Sequence, residues 1–124
     1  MTRLGLFRLA VAAGGLVPFL AGLAGMVAGP AMLGAGSGVD EDSHFRYLSG
    51  LLLGIGFGFW STLADPVRHT ARFRLLTAIV VIGGLGRLSG LLLRGAPGGP
   101  MLAALGMELV VTPLLCLWQA RLGR

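Results

Sequence analysis

The chain has 124 residues, of which 55% are hydrophobic and only 12% charged. A chain of this length makes one small core, so that much apolar surface excludes a soluble globular domain. The formal net charge is +5, with every basic residue but the two histidines an arginine. The arginines cluster at the ends of apolar runs rather than in one patch, which fits membrane orientation and argues against nucleic-acid binding.

The first apolar run predicts a helix over about 5–28, with Arg3 and Arg8 at its start and Pro18 bending it. Its length exceeds that of a signal-peptide apolar core and no sharp cleavage site follows, so a retained span is expected. A glycine-rich loop from Gly29 to Asp42 ends in Asp40-Glu41-Asp42. The second helix is expected over 43–64, with Asp42 or Ser43 as N-cap. A basic loop carrying Arg68, His69, Arg72 and Arg74 leads to a third helix over 73–93. The turn from Arg94 to Pro100 then leads to a fourth over 101–120. Each run approaches the roughly 20 residues needed to cross about 30 Å of hydrocarbon. The expected fold is all-α: one membrane domain over 1–124, a four-helix bundle.

Arg3, Arg8, Arg68, Arg72, Arg74, Arg121 and Arg124 fall on one side of such a bundle. Arg46, Arg94 and the acidic run fall on the other. The positive-inside rule then places both termini in the cytoplasm and the protein, multi-pass, in the inner (plasma) membrane. Trp60, Trp118 and Tyr47 fall near helix ends, as interfacial aromatics do. The repeat of Leu48-Ser49-Gly50-Leu51-Leu52-Leu53 at Leu88–Leu93 runs in opposite directions through the membrane and is a coincidence of a Leu/Gly-rich alphabet.

Arg87 and Glu108 interrupt the last two apolar runs. A bare charge in a bilayer costs on the order of 3 kcal/mol on insertion scales, so these residues need a partner or a task. At 1.5 Å per residue both lie roughly 10 Å in from the outer boundary on antiparallel neighbours, and an ion pair is expected. It reads either as a structural clamp or as a binding or proton-handling site. Asp42, Ser43, His44 and Arg46 at the outer end of the second helix would extend it into a charged cluster. Taken singly, His44 reads as a headgroup contact and Arg46 as snorkelling to lipid phosphate. Two sets of glycines, Gly50, Gly54 and Gly58 on the second helix and Gly83, Gly86 and Gly90 on the third, read as packing faces, within the chain or between copies. Ala104, Glu108, Thr112, Leu115 and Gln119 form a stripe expected to face inward.

Asp42-Ser43-His44-x-Arg46-Tyr47-x-Ser49-Gly50 with the glycines after it, Gly84-Leu85-Gly86-Arg87-x-x-Ser/Gly, the Gly95-x-Pro97 turn, and Glu108-Leu109 ahead of Pro113 form a set of motifs. From Asp42 onward the chain resembles a bacterial family of small four-helix membrane proteins known only as a domain of unknown function. The first helix matches in character alone. The resemblance implies the four-helix architecture and marks His44, Arg46, Arg87 and Glu108 as motif positions, without supplying a substrate.

Metal-ligand spacing, a nucleophile elbow, a phosphate-cradling loop and a dinucleotide fingerprint are all missing. With one cysteine, Cys116, no thiol pair forms within the chain, which removes quinone-linked thiol oxidoreductases. The first helix lacks the carboxylate of small multidrug-type exporters, and the polar landmarks of fluoride-channel-type proteins are not evident. The expectation is a non-enzymatic membrane protein without cofactor or metal. It would bind a lipid, a small amphiphile or a membrane partner, a second copy included, through the outer cluster. The alternative is a small oligomeric transporter in which Glu108 exchanges a proton and Arg87 tunes it or binds an anion.

Overall fold

The computed structural model describes residues 2–34 and 38–122. Four helices follow one another: α1 (Arg3–Ala28), extended by a 3-10 turn at Gly29–Leu33, then α2 (Val39–Trp60), α3 (Thr70–Arg94) and α4 (Gly99–Leu122). Within α4, Met107–Val111 form a π-helical turn. Among the described residues, three helices are long and apolar enough to cross a membrane: α1 with its 3-10 extension, α3 and α4. The remaining helix, α2, has 22 residues, but Asp40, Glu41, Asp42, His44 and Arg46 occupy its first turns. Arg124 and the middle of the expected Gly29–Asp42 loop, residues 35–37, lie outside the described residues.

By its contacts the chain divides into two compact units, Arg8–Ala64 and Met1–Phe7 with Asp65–Arg124. The first is a helical hairpin. On α1 the buried positions Val11, Gly15, Gly22 and Gly25 follow at spacings of four, seven and three residues, which one side of a helix accommodates. A Cβ on Gly22 would lie 2.5 Å from the Leu53 amide nitrogen and 2.7 Å from the Ser49 carbonyl oxygen, so the two backbones meet there. Gly25 accepts the Ser49 side chain, and Gly56 of α2 faces Phe19 at 3.1 Å. The hairpin therefore closes through Gly22, Gly25, Ser49 and Gly56. The expected ladder is rotated off this face: Gly54 has nothing within 4 Å of a Cβ, and Gly50 makes ordinary contact with Met26. The glycines of α1 decide which side of α2 turns inward, because only a small residue lets helix backbones approach this closely.

The ends of α2 differ from expectation for local reasons. Its N-cap is Gly38, so Asp40, Glu41 and Asp42 sit inside the first turn, where the helix dipole favours them. The helix stops at Trp60, four residues short of the expected 64, because the Ser61 and Thr62 hydroxyls donate back to the Gly58 and Phe59 carbonyls and the chain tightens into turns. Trp60 is not merely interfacial. Its indole N–H donates to the Ala12 carbonyl at 3.2 Å and its ring packs 4.9 Å from that of Phe19.

In the second unit α4 runs back along α3. Phe7, fully buried, packs against Phe73 at 5.6 Å and edge-on against Trp118 at 5.4 Å. Beside this knot the Gln119 side chain, 1% exposed, donates through Nε2 to the Pro66 carbonyl at 2.9 Å and to Thr70 Oγ1 at 2.7 Å. α3 terminates at Gly95, whose φ of 95° suits glycine alone. The π turn has a cause in the sequence. Pro113 has no N–H and its ring crowds the carbonyl one turn back, so the helix widens. The Thr112 N–H then reaches the Met107 carbonyl, five residues back, and the Thr112 hydroxyl donates to the same oxygen at 2.7 Å.

Candidate functional site between α3 and α4

One face of α3 carries Phe73, Thr77 and Gly84, all buried, and one turn further on Arg87. Gly84 is what lets α4 approach. A Cβ there would fall 2.8 Å from Leu109 Cδ2 and 2.9 Å from Glu108 Cβ, so the π turn lies directly against α3 at this point. Gly83, Gly86 and Gly90, expected as the packing arc, have no neighbour within 4 Å of a Cβ. The expected α4 stripe does turn inward: Thr112 and Gln119 are buried, and Glu108 is bonded to α3.

The Arg87 Nε–H donates to Glu108 Oε1 at 2.7 Å and more weakly to Oε2 at 3.4 Å. Nη1 donates to the Met101 sulfur at 3.0 Å. The Glu108 side chain is 17% exposed and that of Arg87 34%. Charge-assisted bonds of this kind are about twice as strong as neutral ones, and a half-buried pair relies on them to offset the loss of water. Among the described residues nothing accepts a hydrogen bond from Nη2. The guanidinium is thus held through Nε and Nη1, and the Nη2 donors are left over. The π turn also leaves the Glu108 carbonyl as an acceptor without its usual donor. The Thr112 N–H, ordinarily the donor to the Glu108 carbonyl, points to Met107, and Pro113 has no N–H to offer.

The other expected site residues lie in the hairpin unit. Arg46 donates through Nε to Asp42 Oδ1 at 2.7 Å and through Nη2 to Oδ2 at 3.4 Å. Nη1 reaches the Met26 and Val27 carbonyls at 2.7 and 3.0 Å. Those carbonyls end α1 and have no intrahelical partner, so Arg46 caps that helix and meets its negative pole. Gly29 makes the room: its φ is 67°, and a Cβ would lie 2.7 Å from Arg46 Nη2 and 2.8 Å from Asp42 Oδ2. All three guanidinium nitrogens of Arg46 thus have partners within the hairpin. At the other end of the hairpin Arg8 donates to the Ala64 carbonyl, in the turn after α2, at 3.0 Å. Ser43 and His44 are exposed, and His44 lines a shallow depression with Asp40, Glu41, Phe45 and Leu48.

Met101 belongs to the site and was not singled out from sequence, nor was the π turn; Gly84 and Pro113 stood only as motif positions and Thr112 only as part of the α4 stripe. Gly84 stands three residues before Arg87, and Pro113 interrupts an apolar run five residues after Glu108, so the signals were present without an obvious geometry.

A family model described as Domain of unknown function (DUF4345) matches residues 6–119. The matched range spans the first helix as well as the stretch from Asp42 onward. No curated protein and no solved structure matches the chain.

Proposed function

The chain belongs to the DUF4345 family, and from that premise we propose that it is a non-enzymatic protein of the inner (plasma) membrane which binds an anionic amphiphile at Arg87. In this reading α2 spans the membrane as the three longer apolar helices do, and both termini are cytoplasmic. The ligand's acyl part lies along α3 and α4, and its headgroup takes the Nη2 donors of the guanidinium. The observation that carries the reading is the incomplete saturation of Arg87. Glu108 fixes Nε while Nη2 has no partner among the described residues. The free Nη2 donors of a charged guanidinium suit an oxygen of a carboxylate or phosphate.

The test is thermal stability of the detergent-purified protein with oleate, lysophosphatidylglycerol and lysophosphatidylcholine. The anionic ligands should stabilise the wild type and not Arg87→Gln. Equal stabilisation by all three, or an unchanged response in Arg87→Gln, would sink the reading.

A transporter reading has one observation in its favour. Glu108 lies on a π turn, and interrupted helices with uncovered carbonyls are where transporters place ions and substrates. It requires Glu108 to exchange a proton while Arg87 stays charged. Proton-coupled uptake into proteoliposomes that Glu108→Gln abolishes, with its fold intact, would favour it over binding alone.

A further inference from the structure

The knot of Phe7, Phe73, Trp118 and Gln119 ties three chain segments to one end of their unit: the start of α1, the Asp65–Thr70 turn with the start of α3, and the end of α4. That end gathers Arg3, Arg68, Arg74 and Arg121, all exposed and none in an ion pair among the described residues. Arg72 is exposed there too, though it has a partner. The acidic side chain of that turn is Asp65, and its Oδ1 already accepts the Arg68 N–H at 3.2 Å.

The backbone aggravates this excess of charge. Helices α1 and α3 both begin here, with no acidic residue in either first turn. Each N-terminus carries the positive pole of a helix dipole, and Arg3 and Arg74 stand close to those poles, where a cation is unfavourable. By contrast, α2 has three carboxylates in its first turn. A layer of anions outside the protein would satisfy the free N–H groups and the guanidinium groups together.

We propose that this arginine end docks on the phosphate layer of an anionic phospholipid leaflet, an interaction distinct from the single headgroup at Arg87. It rests on the membrane reading above, and it adds a lipid preference. Apolar spans fix the depth of such a protein, and the leaflet's phosphates then meet the helix ends where these arginines stand. Each arginine at an anionic surface is worth several-fold in affinity, so four together give a strong preference over zwitterionic lipid.

The experiment reconstitutes the protein, carrying Trp60→Phe so that Trp118 of the knot is the reporter, into phosphatidylcholine vesicles. Quenching by brominated phosphatidylglycerol is compared with quenching by brominated phosphatidylcholine. The expected result is an at least roughly tenfold preference for the anionic lipid, declining with salt. It is abolished in R3Q/R68Q/R74Q/R121Q, kept in the corresponding Arg→Lys variant, and unaffected by Arg87→Gln. Equal quenching by the two lipids, a preference that survives the glutamine variant, or its loss in the lysine variant overturns the proposal. Competition by inorganic phosphate at matched ionic strength also overturns it, by making this a free-anion site. Carbonate-resistant incorporation into the vesicles is scored separately. If incorporation fails, the membrane reading fails with it; if it succeeds without a lipid preference, only the docking proposal does.

Discussion

Each of the two units holds one arginine–carboxylate pair with the same 2.7 Å contact through Nε, and the two pairs are spent differently. In the hairpin, Arg46 and Asp42 are one turn apart on α2, and the rest of the guanidinium closes the carbonyl end of α1. In the other unit, Arg87 and Glu108 come from different helices, and the guanidinium has Nη2 to spare. The helix contacts differ in the same sense. α1 and α2 meet through glycine backbone, whereas α4 meets α3 through a charged pair, a buried threonine and a buried glutamine. A saturated contact does a structural job and no more. An unsaturated one is where a ligand has something to bond.

The comparison breaks most sharply under deletion of the carboxylates. Glu108→Ala leaves Arg87 without its charged partner, one-third exposed among apolar helices. The expected loss is about 2–3 kcal/mol, below the roughly 3–5 kcal/mol for breaking a fully buried pair because Arg87 is partly solvated. Replacing both residues by methionine should restore most of it while removing any response to anionic amphiphiles. If the double variant is no more stable than Glu108→Ala, the two residues are not coupled and the site as described is wrong. Asp42→Ala, the same deletion in the hairpin, should cost only about 1 kcal/mol, because Arg46 keeps both carbonyls and each member of the pair is about 40% exposed. Thermal melts of the four proteins in one detergent decide both statements.

Between those two in size stands Gly22→Ala. Its methyl would meet backbone atoms of Leu53 and Ser49, which cannot step aside as a side chain does. Overpacking of this kind costs about 1–3 kcal/mol. A neutral result would show that the helices can separate by several tenths of an ångström without loss.

The amino-acid pattern made the helices legible, since length and apolarity are additive along the chain and need no knowledge of the neighbours. It also made the Arg87–Glu108 pair legible, because a short turn and a fixed rise per residue dictate which residues share a level. The rotation of the helices about their own axes was hidden. Gly50, Gly54 and Gly58 look like an interface in one dimension, but a face is chosen jointly, and Gly15, Gly22 and Gly25 of α1 made that choice. The role of Arg46 was hidden for a related reason. Its partners are main-chain carbonyls of Met26 and Val27, and no residue type announces a carbonyl. Pro113 announced a disturbance in α4, but whether a proline kinks a helix or widens it into a π turn depends on the donor available beside it, here the Thr112 hydroxyl.

The smallest expected effect bears on the glycines that have no partner within the chain. Gly54→Ala and Gly86→Ala each place a methyl in open space. In a helix interior alanine is favoured over glycine by up to about 1 kcal/mol, so each variant of an isolated chain should melt at the wild-type temperature or slightly above it. A sequence that keeps glycine at such positions forgoes this stabilisation, and close approach of another helix is the usual physical reason. The two outcomes therefore separate cleanly. If both variants are neutral or stabilising and the hydrodynamic size in detergent is unchanged, these faces meet lipid, and the α3–α4 charge pair is the chain's distinctive feature. If either variant loses stability and shifts the particle toward monomer, the exposed glycines are the seam between copies, and the unsaturated Nη2 of Arg87 has to be sought beside a second chain.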